Sequence, residues 1–144
     1  MYLIDTNVIS ELRKRDRADA GVRAFFAEAT RLKTRLYLSV VTLGELRRGV
    51  EIIRYRGDDF QADKLEQWLV GLRDKFQDGI LDFTEESAEL WGKLRVPHPE
   101  HPLDKQIAAT AIIHGLTVVT RNTKDFANTG VKVLNPFDNI QSDS

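Results

Sequence analysis

Five short apolar runs punctuate this chain, and longer amphipathic stretches separate them. Tyr2-Leu3-Ile4, Leu36 to Val41, Gly79 to Phe83, Leu116 to Thr120 and Val131 to Leu134 have the aliphatic, β-branched and aromatic character of buried strands. Between them, apolar residues recur at helical spacing. A short helix is predicted through Ile9 and Leu12, and a second over Ala18 to Ala29. A third opens at Thr42-Leu43-Gly44-Glu45 and carries Leu43, Leu46, Val50 and Ile53 on one face. Leu65, Trp68, Leu69 and Leu72 form the stripe of a fourth. Thr84 is the expected N-cap of a fifth, and Asp104 begins a sixth, rich in alanine. Strands alternating with helices predict βαβ units, hence an α/β fold with a central, mostly parallel sheet flanked by helices.

A chain of 144 residues suits one domain. We place its boundary at residues 1–137, with 138–144 as a polar C-terminal tail. With 42% hydrophobic and 30% charged residues the composition is that of a globular protein, neither disordered nor membranous. No apolar run approaches the roughly 20 residues that span a bilayer. The start, Met1-Tyr2-Leu3-Ile4-Asp5, lacks the basic and apolar regions of a signal peptide. Cysteine is absent, which excludes disulfides, thiolate metal sites and a cysteine nucleophile, and suits a reducing cytoplasm. Twenty-one Lys and Arg balance 22 Asp and Glu, so any contact with a polyanion must come from local arrangement rather than bulk charge.

In open α/β sheets, ligands bind beyond the carboxyl ends of the strands. Asp5 follows the first strand, Glu45 comes a few residues past the second, and Thr120 and Asn122 follow the fourth. Singly, each acid has a structural explanation. Asp5 caps the first helix, Thr42-x-x-Glu45 is a capping box, and Asp104 is an N-cap after Pro102, while Asn122 and Asp125 make local turn contacts. Jointly, carboxylates converging on one edge would repel one another unless a cation offset them. Hard divalent cations such as Mg²⁺ take such oxygen ligands, and a metal so held supports phosphodiester hydrolysis.

Four segments carry a resemblance as well. Leu3-Ile4-Asp5-Thr6-Asn7-Val8-Ile9-Ser10, Thr42-Leu43-Gly44-Glu45-Leu46-Arg47-Arg48-Gly49, Asp104-Lys105-Gln106-Ile107-Ala108-Ala109-Thr110-Ala111 and Val118-Val119-Thr120-Arg121-Asn122-Thr123-Lys124-Asp125-Phe126 occur in this order. They resemble the successive motifs of PIN-domain ribonucleases, nearest to toxins of the VapC and FitB type, over almost the whole chain. The resemblance implies a PIN-like α/β/α fold and a Mg²⁺- or Mn²⁺-dependent endoribonuclease of a bacterial toxin–antitoxin system. It further implies a cognate antitoxin of the VapB or FitA kind, toxin chains that pair, and a cytoplasmic setting. By position, Asp5, Glu45 and Asp104 match the acidic residues, with Asp5 and Asp104 on the metal and Glu45 completing the shell or accepting a proton from water. The fourth acidic place falls on Asn122, and whether Asp125 fills it is left open. Thr6 and Thr120 match hydroxyl positions beside the site.

Arg13, Lys14, Arg47 and Arg48 are the candidates for holding RNA phosphates near such an acidic centre. His98 and His101 sit among Pro97, Pro99 and Pro102, and the stiff loop favours a structural or solvent-facing role over metal ligation. A haloacid-dehalogenase-like phosphatase requires an acid two residues after Asp5, where Asn7 stands. A catalytically silent PIN-like module that binds RNA or protein is the alternative, and Asn122 is the residue that supports it.

Overall fold

The computed structural model describes residues 1–137; the expected tail, 138–144, lies outside the described residues. Its centre is a five-stranded sheet in which every pairing is parallel. The strands are β1 (Tyr2–Ile4), β2 (Leu36–Ser39), β3 (Ile80–Leu81), β4 (Thr117–Val119) and β5 (Val133–Leu134), in the order β3-β2-β1-β4-β5. The chain builds outward from β1 through β2 to β3, then crosses back to lay β4 on the other side of β1. The strand order therefore reverses between β1 and β4, and a crevice opens beyond their carboxyl ends.

Six helices cover the two faces: α1 (Thr6–Leu12), α2 (Ala20–Leu32), α3 (Val40–Tyr55), α4 (Asp59–Lys75), α5 (Glu85–Leu94) and α6 (Pro102–His114). Alternating strand residues divide the core. Ile4, Leu38 and Val119 pack with Val8, Val50, Leu65 and Leu69 of α1, α3 and α4. Leu3 and Val118 point the other way, against Ile107, Ala108 and Ala111 of α6. Burial on both faces explains why the strands read as unbroken apolar runs. The alanines of α6 let that helix lie close to its neighbours; Ala108, Ala109 and Ala111 are fully buried.

Several boundaries differ from the sequence reading, each for a local reason. The second strand stops at Ser39, whose hydroxyl accepts a hydrogen bond from the Val41 N–H at 3.0 Å. That cap turns Val40 and Val41, expected in the strand, into the first turn of α3. Helix α2 starts at Ala20, with Asp19 accepting from the Val22 N–H, and closes at Lys33 in the left-handed conformation. Helix α6 starts at Pro102, because proline is already set for the first helical position. The third, fourth and fifth strands pair over fewer residues than their apolar runs. Thr84 caps α5 as expected, through the Ser87 N–H at 3.1 Å.

The apolar stripes of α3 and α4 go mainly into packing: Leu46, Val50, Leu65, Leu69 and Leu72 are buried. Trp68 is half-buried against the same core, as expected. Trp91 packs edge-on against Phe83 and donates to the Pro102 carbonyl at 2.9 Å. Among the described residues, no helix is long and apolar enough to cross a membrane.

Candidate metal centre

Three helix starts and one loop deliver polar groups to the crevice. A crossover helix runs antiparallel to the strands, so α6, which precedes β4, begins at the edge where β1 and β4 end. That geometry carries Asp104, in the first turn of α6, back to Asp5.

Asp5 is buried, 4% exposed, at the first residue after β1. Its backbone N–H donates to the Val119 carbonyl at 2.9 Å, tying it to β4. Its Oδ1 accepts from the Thr6 N–H at 2.8 Å, so it caps α1 as expected. Its Oδ2 accepts from the Thr120 hydroxyl at 2.8 Å and from Asn7 Nδ2 at 3.3 Å. Burial pushes the Asp5 carboxyl up; the Thr120 and Thr6 hydrogen bonds oppose the rise, and the Asp125 charge adds to it. The Asp104 carboxyl is pushed up to about 6, first by burial, then by the charges of Asp5 and Asp125, with His101 opposing and Glu45 adding. Four carboxylates from distant segments thus act on one another electrostatically.

Among the described residues no lysine or arginine forms an ion pair with Asp5, Glu45, Asp104 or Asp125. Elsewhere the chain pairs its acids with such cations freely. A partly dehydrated group of carboxylates of this kind suits a hard divalent cation. His101, Asp104 and Asp125 also offer three ligand atoms that lie within 4.8 Å of one another.

Two structural explanations from the sequence are corrected here. Helix α3 begins at Val40 with Ser39 as its cap, so Thr42 and Glu45 form no capping box. Thr42 is fully buried inside the helix, and Glu45, half-buried in the second turn, has no free backbone N–H to satisfy. Asp104 is likewise not an N-cap; His101 holds that place, without a side-chain bond.

The remaining candidates are placed as follows. Thr6 Oγ1 meets Thr42 Oγ1 at 3.5 Å, joining α1 to α3. Asn122 is exposed, and its backbone N–H donates to Thr120 Oγ1 at 3.0 Å. Asp125, half-buried in a 3-10 turn over Thr123–Phe126, brings its carboxylate to Asp104 and His101. Arg13 stacks on Trp68 with its guanidinium 5.8 Å from the ring centre, and Lys14 pairs with Glu11 at 2.9 Å. Arg47 pairs with Glu51 at 3.3 Å and Glu66 at 3.2 Å, whereas Arg48 is exposed and, one helical turn from Glu45, lies near its face.

Asn7 was legible only as part of a motif. Its Nδ2 donates to Thr120 Oγ1 at 3.3 Å as well as to Asp5, and its Oδ1 accepts from the Arg121 N–H at 3.0 Å. It clamps the turn after β1 to the turn after β4. His101 is exposed, as the loop suggested, and its ring also faces Asp104 and Asp125. Its signal was the three-residue spacing to Asp104 across the start of a helix.

These features define a class: an α/β protein with a carboxylate centre at its topological switch point. The PIN domain family model matches residues 2–132, and the chain belongs to that family. It is 36% identical to Toxin FitB of Neisseria gonorrhoeae, over 95% of this chain and 99% of that protein. It is 35% identical to VapC ribonuclease Y4jK of Sinorhizobium fredii, over 96% and 99% respectively. The crystal structure of FitAcB from Neisseria gonorrhoeae superposes with a TM-score of 0.70 at 36% identity, covering 94% of this chain and 98% of that one.

Proposed function

We propose that this protein is a metal-dependent endoribonuclease, the toxin of a toxin–antitoxin pair acting in the bacterial cytoplasm. The observation that carries the reading is the group of Asp5, Glu45, Asp104 and Asp125, with which no lysine or arginine pairs among the described residues and in which the Asp104 carboxyl is pushed up to about 6. The ribonuclease name of a relative 35% identical over 96% of this chain supports the reaction class.

Asp5 and Asp104 would hold Mg²⁺ or Mn²⁺, with Asp125 rather than Asn122 as the further acid. When bound, the cation supplies positive charge to the scissile phosphodiester and makes water easier to deprotonate. Asp5 keeps one oxygen fixed by Thr120 and Asn7 and the other by Thr6, so its lone pairs are aimed before any ligand arrives. Glu45, free of capping duty, accepts the proton from the attacking water. The Asn122 amide, exposed at the rim, orients a phosphate oxygen. Arg48 lies on the Glu45 side, and Arg13 and Lys14 follow α1, seven residues or roughly 10 Å from its Asp5 end, a spacing that suits flanking phosphates.

For partners we propose an antitoxin of the VapB or FitA kind and a second copy of the toxin, in line with the relative named as the toxin FitB. The test is cleavage of a structured RNA with Mg²⁺ or Mn²⁺, against an EDTA control and against Asp5→Asn and Asp104→Asn. Cutting that stops with EDTA and in both variants is the expected result. No cutting by the wild-type protein at high concentration would favour the silent binding module; undiminished cutting by either variant would remove the acid assignment.

A further inference from the structure

We propose that His101 is a nitrogen ligand of this centre and biases it toward first-row transition-metal ions such as Mn²⁺ over Mg²⁺. The inference rests on the metal-dependent reading above and deepens it.

The position of the imidazole is built rather than incidental. His101 Nε2 lies 3.6 Å from Asp125 Oδ1, and its Nδ1 lies 3.9 Å from Asp104 Oδ2. One ligand atom from each of the three residues falls within a 4.8 Å span, the reach across a single ion with bonds of roughly 2.0–2.4 Å. The side chains come from two places, the start of α6 with its N-cap and the turn after β4, so the cluster forms only in the folded chain.

The backbone that presents His101 is fixed from three sides. Its φ of 55° and ψ of 55° put it in the left-handed region, disfavoured for a residue with a Cβ. Its carbonyl accepts from the Lys105 N–H at 3.1 Å. The Lys105 side chain, 2% exposed, spends its ammonium on the preceding loop, donating to the His98 carbonyl at 2.5 Å and to the Glu100 carbonyl. On the following side, Trp91 donates to the Pro102 carbonyl. The buried Lys105 ammonium, set on two backbone carbonyls, anchors the segment that carries the imidazole.

Chemistry then sets the preference. Mg²⁺ takes oxygen ligands almost exclusively and keeps its waters, whereas imidazole nitrogen raises affinity for the first-row transition ions. A centre of carboxylates alone discriminates less than one in which a ring nitrogen replaces a water.

The experiment uses the intact protein and the metals alone. Calorimetric titration of Mn²⁺ and Mg²⁺ is run on the wild type, His101→Asn and Asp104→Asn. Asparagine tolerates the left-handed backbone, and circular dichroism melting checks that each variant folds. His101→Asn should weaken Mn²⁺ about 10-fold and change Mg²⁺ less than about 2-fold. Pulsed EPR of bound Mn²⁺ should show a ¹⁴N coupling in the wild type that vanishes in His101→Asn. Equal effects on both ions, or no nitrogen coupling in the wild type, would overturn the assignment of His101. Asp104→Asn separates the two readings: if it still binds both metals normally, the carboxylate centre itself is wrong; if it loses both while His101→Asn is neutral, only the nitrogen ligand is.

Discussion

Thr120 donates from Oγ1 to Oδ2 of Asp5 at 2.8 Å across 115 residues of chain, and both side chains are buried. The same hydroxyl accepts from Asn7 Nδ2 and from the Asn122 N–H, so one oxygen ties together the turns after β1 and β4. Thr120→Val removes that junction and takes a hydroxyl donor from the buried Asp5 carboxylate, at a cost of about 1–3 kcal/mol. It also frees Asp5 to rotate, and Mn²⁺ affinity should fall about 10-fold or more. Thr120→Ser, which keeps the hydroxyl, should restore the affinity in the same calorimetric titration. A valine variant with wild-type affinity would show that Asp5 is held by other means.

Asp104 links stability to pH. Its carboxyl is pushed up to about 6 in the folded chain against an ordinary value of 3.8, so the folded state binds that proton more tightly. The stability it contributes is complete below pH 3.8, declines as the pH rises through 6, and is gone above. The shift corresponds to about 3 kcal/mol. Melting curves of metal-free wild type and Asp104→Asn should therefore diverge across pH 4–6, with the asparagine variant the more stable at neutral pH. Saturating Mn²⁺ should restore the wild type alone. Parallel curves would place Asp104 outside the repulsive cluster.

Glu45 offers a cleaner separation of roles. Because Ser39 caps α3, Glu45→Gln should leave the melting temperature within about 1–2 °C of wild type. RNA cleavage should nevertheless drop on the order of 100-fold through kcat. A variant that melts early but cuts normally would return Glu45 to a structural duty.

The neighbouring arginines should behave differently. Arg47→Ala breaks pairs to Glu51 and Glu66, partly exposed, and should cost under about 1 kcal/mol without altering how RNA binding depends on salt. Arg48→Ala should lower the slope of log affinity against log salt by about 1. Identical slopes in the two variants would leave Arg48 as plain surface charge.

Gly79 is required where β3 approaches β2. A Cβ there would stand 2.9 Å from the Leu36 carbonyl oxygen, and the Gly79 carbonyl accepts from the Leu38 N–H at 2.8 Å. Gly79→Ala should destabilise the chain by about 1–3 kcal/mol in chemical denaturation, since backbone must move to admit the methyl group. A neutral result would mean that the edge strand yields freely.

Much of the fold could be read from local pattern. The order of strands and helices and the Thr84 cap follow from periodicity and turn chemistry, which act over a few residues. The errors arose where two local preferences competed. Val40 and Val41 are good strand residues, yet the Ser39 hydroxyl accepting from the Val41 N–H starts a helix there. The supposed Thr42–Glu45 box disappeared for the same reason. The approach of His101 to Asp125 could not be read locally, because the two stand 24 residues apart in different elements.

Sequence alone determined that this chain alternates strands and helices, that its strands are buried on both faces, and that Asp5 and Asp104 stand at helix starts, because these properties belong to neighbouring residues. Only the tertiary structure decided that β1 and β4 lie side by side, and hence that Asp5, Glu45, Asp104 and Asp125 act on one another electrostatically, with no lysine or arginine paired to them among the described residues. Strand order is set by how helices cover the two faces of the sheet, and that is settled by the whole core at once.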